Sequence, residues 1–176
     1  MLKMIKFTVT ILFMLPVLVA AHGPSRQKVI EEIEINAEPE KVWEIIADYC
    51  SIKDWNPSIT ACESDNGSQP ESIRTITLEN GEQVKEKLVK YDPESFKIQY
   101  MMVEPNPKAM PINTHGATLM IKPGGNGGSV VTWKGAFYRS FPGPNPPPDQ
   151  TDEAGKKIIT DLYKAGLENI KQQAEN

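Results

Sequence analysis

Two histidines and two cysteines are all the imidazole and thiol groups in the 176-residue chain. That count excludes a zinc site built from four cysteines, and spacing excludes a mixed one. Cys50 and Cys62 are too far apart for a finger, and His22 and His115 are remote from each other in sequence. His115 is the histidine within the body of the chain. Alone on a strand, it suits a structural hydrogen bond better than general-base duty. Glu86, read below as the partner of Arg74, suits anchoring a charge better than donating a proton. No Ser/His/Asp order, Walker loop or metal-ligand spacing is present. Gly124-Gly125-Asn126-Gly127-Gly128 lies between two strands rather than opening a helix, so it reads as a hairpin turn and not a phosphate cradle. There is no Cys-x-x-Cys-His haem signature and no His/Met pair at an obvious ligand spacing, so no cofactor is expected. No catalytic residue and no metal ligand is assigned.

The charge balance narrows the partners. Lys plus Arg number 19 against 23 Asp plus Glu, and no basic run occurs, which argues against gripping a nucleic-acid backbone. Hydrophobic residues at 39% and charged residues at 24% describe an ordinary globular chain of one domain's length. The first residues read as an address. Lys3 and Lys6 precede an apolar run from Phe7 to Val19, followed by Val19-Ala20-Ala21 and polar His22-Gly23. The run suits a signal-peptide core and is short of the ~20 residues that span a bilayer. Residues 1–21 are therefore read as a signal peptide and 22–176 as the single mature domain, periplasmic and free of the membrane after cleavage. Cleavage after Ala21 removes two lysines and no acid, taking the net charge from −4 to −6. An oxidising compartment favours a disulfide between Cys50 and Cys62. Two buried free thiols are the alternative, and a catalytic thiol is disfavoured by a spacing wider than Cys-x-x-Cys.

Periodicity places these residues on elements. Lys28 to Asn36 alternates as a half-buried strand. Glu38-Pro39-Glu40 opens a helix with the stripe Val42, Trp43, Ile45, Ile46 and Tyr49. Asp54-Trp55-Asn56-Pro57 reads as a second short helical turn ended by proline. Six further strands are expected near 59–65, 72–78, 82–91, 96–104, 113–122 and 129–139. A polar start at Asp149 to Asp152 leads into a long helix with the stripe Ile158, Ile159, Leu162, Tyr163, Gly166, Leu167 and Ile170.

One hairpin can be read to the residue. A three-residue loop Glu79-Asn80-Gly81 with left-handed Gly81 pairs Ile76 with Val84, Arg74 with Glu86 and Ser72 with Leu88. A two-residue loop would instead set Arg74 against Lys87, a like-charge clash. The first register sends Arg74 and Glu86 inward as an ion pair, either a structural network or the polar end of a pocket. The same parity turns Phe96, Ile98, Tyr100 and Met102 to one face, with His115, Ala117, Leu119 and Ile121, and Val131, Trp133, Phe137 and Arg139. The expected ligand cavity is thus lined by Trp55, Arg74, Glu86, Tyr100, Met102, His115, Trp133 and Phe137. A core filled by these large side chains is the alternative.

Ile35-Asn36-Ala37-Glu38-Pro39-Glu40-Lys41-Val42-Trp43, Asp54 to Pro57, the hairpin from Arg74 to Leu88, Tyr91-Asp92 and Val131-Thr132-Trp133 resemble the START-like, polyketide-cyclase-like (SRPBCC) superfamily over residues 28–172. The resemblance implies the α+β helix-grip fold: a seven-stranded antiparallel sheet wrapped around a long C-terminal helix, with two short helices after the first strand. Within it, Tyr49-Cys50-Ser51-Ile52 through to Ala61-Cys62-Glu63 is similar to a periplasmic, MxaD-like branch of accessory proteins encoded with methanol dehydrogenase. That likeness implies an exported non-catalytic helper of methanol oxidation, with methanol dehydrogenase or its cytochrome c as partner. The superfamily also offers a carrier of a small apolar ligand and, less favoured, a cyclase-like enzyme. Two proline-rich segments, Pro105 to Pro111 and Phe141 to Pro148, are stiff and preordered. Pro142, Pro144, Pro146, Pro147 and Pro148 are the candidate partner contact, the alternative being a rigid connector to the last helix.

Overall fold

The computed structural model describes residues 23–176, so the expected signal peptide and its cleavage junction lie outside the described residues. Strands β1 (Gln27–Ile35), β2 (Ile59–Ser64), β3 (Ile73–Leu78), β4 (Gln83–Asp92), β5 (Lys97–Met102), β6 (Ile112–Pro123) and β7 (Ser129–Arg139) form one antiparallel sheet. Its order is β1-β7-β6-β5-β4-β3-β2, so the first two strands in sequence are its two edges. Helices α1 (Pro39–Ile46) and α2 (Ile52–Trp55) carry the chain from one edge to the other. Helix α3 (Asp152–Glu175) lies against β1 and β7 and touches both short helices. This is the helix-grip α+β fold. Among the described residues, no helix is long and apolar enough to cross a membrane.

Local chemistry explains the boundaries. Pro39 sits in the first turn of α1, where its missing N–H costs nothing, and Glu40 favours the positive end of the dipole. Helix α2 starts two residues earlier than its sequence suggested and stops at Trp55, because the Asn56 N–H closes on the Ile52 carbonyl before Pro57. The Thr151 hydroxyl caps α3 by accepting from the Ala154 N–H at 3.0 Å. Between β3 and β4, Gly81 is left-handed at φ 80°, and the Leu78 N–H donates to the Glu82 carbonyl. The three-residue turn is the one expected, and Arg74 stands opposite Glu86.

Cys50 and Cys62 are joined, with Cα atoms 5.4 Å apart. The bond ties the turn after α1 to edge strand β2, which has a sheet neighbour on one side only. Alkylation of the unreduced protein should leave both cysteines unlabelled by mass spectrometry. Replacing both by serine should lower stability by about 2–3 kcal/mol, as closure of a 12-residue separation predicts. A labelled thiol, or no loss in a denaturant titration, would contradict this.

Candidate functional site

The inner face of the sheet and the inward stripe of α3 meet around a polar cluster in an aromatic shell. The Arg74 guanidinium donates from Nε and Nη2 to Glu86 Oε2, at 2.9 and 2.7 Å, and from Nη1 to the Tyr49 carbonyl. Its central carbon lies over the rings of Tyr49 and Tyr100, 4.1 and 4.9 Å from their centres. Arg74 and Glu86 are each only 3% exposed. Burial acts to lower Arg74, but the facing Glu86 carboxylate, with Tyr49 and Tyr100, outweighs it and raises the guanidinium above its ordinary value. Arg74 therefore stays a fixed cation, suited to holding charge in place and unsuited to proton transfer.

A second group lies deeper along α3. His115 Nε2 and the Tyr163 hydroxyl share a hydrogen bond at 3.0 Å. Trp133 stacks on Tyr163 with centres 4.2 Å apart, meets Trp55 edge-on, and donates from Nε1 to the Tyr100 hydroxyl at 3.0 Å. Burial holds His115 down at about 4, so its imidazole is neutral at pH 7. Burial likewise pushes the phenols of Tyr49, Tyr100 and Tyr163 above their ordinary value. Two glycines make the close packing possible. A Cβ on Gly135 would collide with the Tyr163 hydroxyl and lie 2.9 Å from His115 Nε2. One on Gly166 would lie 2.8 Å from Asn56 Nδ2 and 2.9 Å from Trp133. That close approach lets Asn56 Nδ2 donate to the Leu162 carbonyl of α3 at 3.1 Å.

All eight residues expected to line a cavity are buried, yet they are not gathered around one open space. Trp55, Arg74, Tyr100 and Trp133, with Tyr49, border a void of about 10 Å³, room for about one water molecule. Phe137 is spent on α3, where it occupies the space beside Gly155. Met102 stands beside Glu86 in the ladder. Arg139, also inward, ties its Nη1 to Asp152 and donates to the carbonyls of Phe141 and Gly143. It thereby pins the base of the proline segment, of which Pro142, Pro144 and Pro148 are exposed and Pro146 and Pro147 half-buried. The earlier segment ends in buried Ala109, Met110 and Pro111. Tyr49 and Tyr163 are central to the cluster, although periodicity places them only on helix stripes. The available signal was a phenol on a buried stripe, which needs a partner for its hydroxyl.

The family model described as polyketide cyclase / dehydrase and lipid transport matches residues 26–175. The structure of XoxI from Bacillus cereus is similar at 22% identity and a TM-score of 0.71, covering 84% of this chain and 94% of that one. Truncated norcoclaurine synthase from Thalictrum flavum is similar at 17% identity and a TM-score of 0.64, covering 86% and 94%. Ginseng major latex-like protein 151 from Panax ginseng gives 15% and 0.65, covering 85% and 97%. At these identities the likeness is one of fold. No curated protein matches the sequence.

Proposed function

From the premise that the chain belongs to the polyketide cyclase / dehydrase and lipid transport family, we propose that it is an exported, non-catalytic accessory protein acting by surface contact. The observation that carries this reading is the filled interior: the void at the Arg74 cluster is about 10 Å³, against the several hundred Å³ that a small-molecule site needs. A helix-grip domain whose grip is closed on its own Trp133 and Tyr163 works through its outside. The MxaD-like pattern from Tyr49 to Glu63 supplies the partner, methanol dehydrogenase or its cytochrome c. The disulfide fits an oxidising compartment such as the periplasm. The proline segment pinned by Arg139 is the proposed contact, because a stiff segment loses little entropy on docking.

The test is cytochrome reduction by the dehydrogenase with and without the purified protein, at two ionic strengths. Acceleration that weakens with salt is expected, since the mature chain is acidic. Substituting Pro142, Pro144 and Pro148 by serine should reduce it. No rate change at either ionic strength, with no measurable binding, overturns the reading. The carrier reading then gains, because the Tyr49 hydroxyl and His115 Nδ1 are buried without hydrogen-bond partners among the described residues. A small molecule retained in native mass spectra would favour it directly.

A further inference from the structure

The outer face of the sheet carries a cluster of charge that the core does not use. Alternation along β1 and β7 buries Val29, Val131 and Trp133 and turns Lys28, Ile30, Lys134 and Ala136 outward. Pairing sets Lys28 opposite Ala136 and Ile30 opposite Lys134, while Gly116 and Thr118 of β6 flank the same two β7 positions from the other side. With Arg26, these residues line a shallow recess of about 310 Å³. Its floor is low at Gly116, which has no side chain and follows a bulge in β6. Asn113 faces Tyr138 and Gly116 faces Ala136, so Thr114 and His115 together oppose the single Phe137. Thr114 takes a left-handed φ of 53°, His115 points inward to Tyr163 in the parity of Ala117 and Leu119, and Gly116, with no side chain, faces out.

The recess is cationic. Among the described residues, Arg26, Lys28 and Lys134 form no salt bridge. Further along the sheet, Lys85 is engaged with Glu104, Lys87 with Glu71 and Lys90 with Asp92, whereas Lys97 and Lys122, like the recess cations, form no salt bridge among the described residues. Glu32, the next outward residue of β1, accepts from the Thr132 hydroxyl at 2.8 Å. Beside the cations stand two exposed apolar side chains, Ile30 at 63% and, across from Gly116 on β5, Met101 at 42%. Three neighbouring cations without a salt-bridge partner repel one another, and a partner bringing carboxylates relieves that repulsion.

We propose that this recess docks an extended acidic segment of another protein, its carboxylates on Arg26, Lys28 and Lys134 and one apolar side chain between Ile30 and Met101. The site crosses four strands, β1, β7, β6 and β5, roughly 14 Å at the usual strand spacing. Four or five extended residues cover that length. Its shallowness suits a chain lying across it rather than an enclosed small molecule. Three cations are fewer than the clusters of four to eight that read anionic lipid.

The probe is a fluorescently labelled heptapeptide, Glu-Asp-Glu-Phe-Glu-Asp-Glu, titrated with the purified protein by anisotropy. Saturable binding is expected at low salt, weakening as salt is raised. Lys134→Glu should weaken it about ten-fold or more, whereas Lys156→Glu, the same charge change on exposed α3, should leave it within about two-fold. Gly116→Val should also weaken it by filling the recess. A Cβ there meets only the Tyr100 carbonyl, at 3.8 Å, so the variant is expected to keep the fold, which its thermal midpoint checks. Absence of binding, equal losses in Lys134→Glu and Lys156→Glu, or full binding by Gly116→Val overturns the proposal. So does Lys134-dependent binding to phosphatidylglycerol vesicles in place of the peptide.

Discussion

Arg74→Ala should lower the unfolding free energy by about 3–5 kcal/mol, because it strands the Glu86 carboxylate in the core. Both partners are almost fully buried, and Glu86 Oε2 takes two of the guanidinium's hydrogen bonds. The third goes to the Tyr49 carbonyl, so the variant also frees the turn held by the Cys50–Cys62 bond. Arg74→Lys should recover only part of the loss, since a compact ammonium cannot reproduce the guanidinium's fork to both Glu86 and the Tyr49 carbonyl. The double variant Arg74→Met/Glu86→Leu should recover most of it, because an apolar pair leaves no uncompensated charge. Urea titrations of the three variants measure this. A loss under about 1 kcal/mol in Arg74→Ala would mean that water reaches the pair.

The second large effect is on pH dependence and comes from His115. Its folded value is depressed by burial to about 4, against about 6.5 in the unfolded chain. Between those values the unfolded state binds one more proton than the folded state. Stability from this group is therefore complete above pH 6.5, falls as the pH drops, and is lost by about pH 4. The interval corresponds to about 3 kcal/mol. His115→Gln keeps a polar group beside Tyr163 and removes the titration. The stability difference between variant and parent should shift in the variant's favour by that amount between pH 7 and pH 4. Parallel pH profiles would show that His115 is hydrated and titrates alike in both states.

The reach of the sequence is clearest at the β3–β4 hairpin. Two-residue alternation, a turn glycine and the like-charge clash of the other register left one arrangement, in which Arg74 meets Glu86. Strand order along the chain, the α3 stripe and the burial of His115, Trp133 and Phe137 follow from the same periodicities, because each depends on near neighbours. The disulfide was legible for a different reason: only two cysteines were available to pair.

What the tertiary structure decided is distance between elements. Alternation says which way Tyr100, Trp133 and Tyr163 point but not how closely helix and sheet approach. Gly135 and Gly166 set that approach by lacking a Cβ where the hydroxyl of Tyr163 and the rings of Trp55 and Trp133 must pass. The interior is closed for that reason, and no pattern within one strand or helix records it. His115 and Tyr163 are 48 residues apart and meet only because α3 crosses behind β6. The cationic recess has the same origin. Lys28 and Lys134 lie far apart in sequence, on two strands that the fold pairs at the sheet edge. Neighbours in sequence are set by the covalent chain, whereas neighbours across the sheet are set by which hydrophobic faces must be buried together.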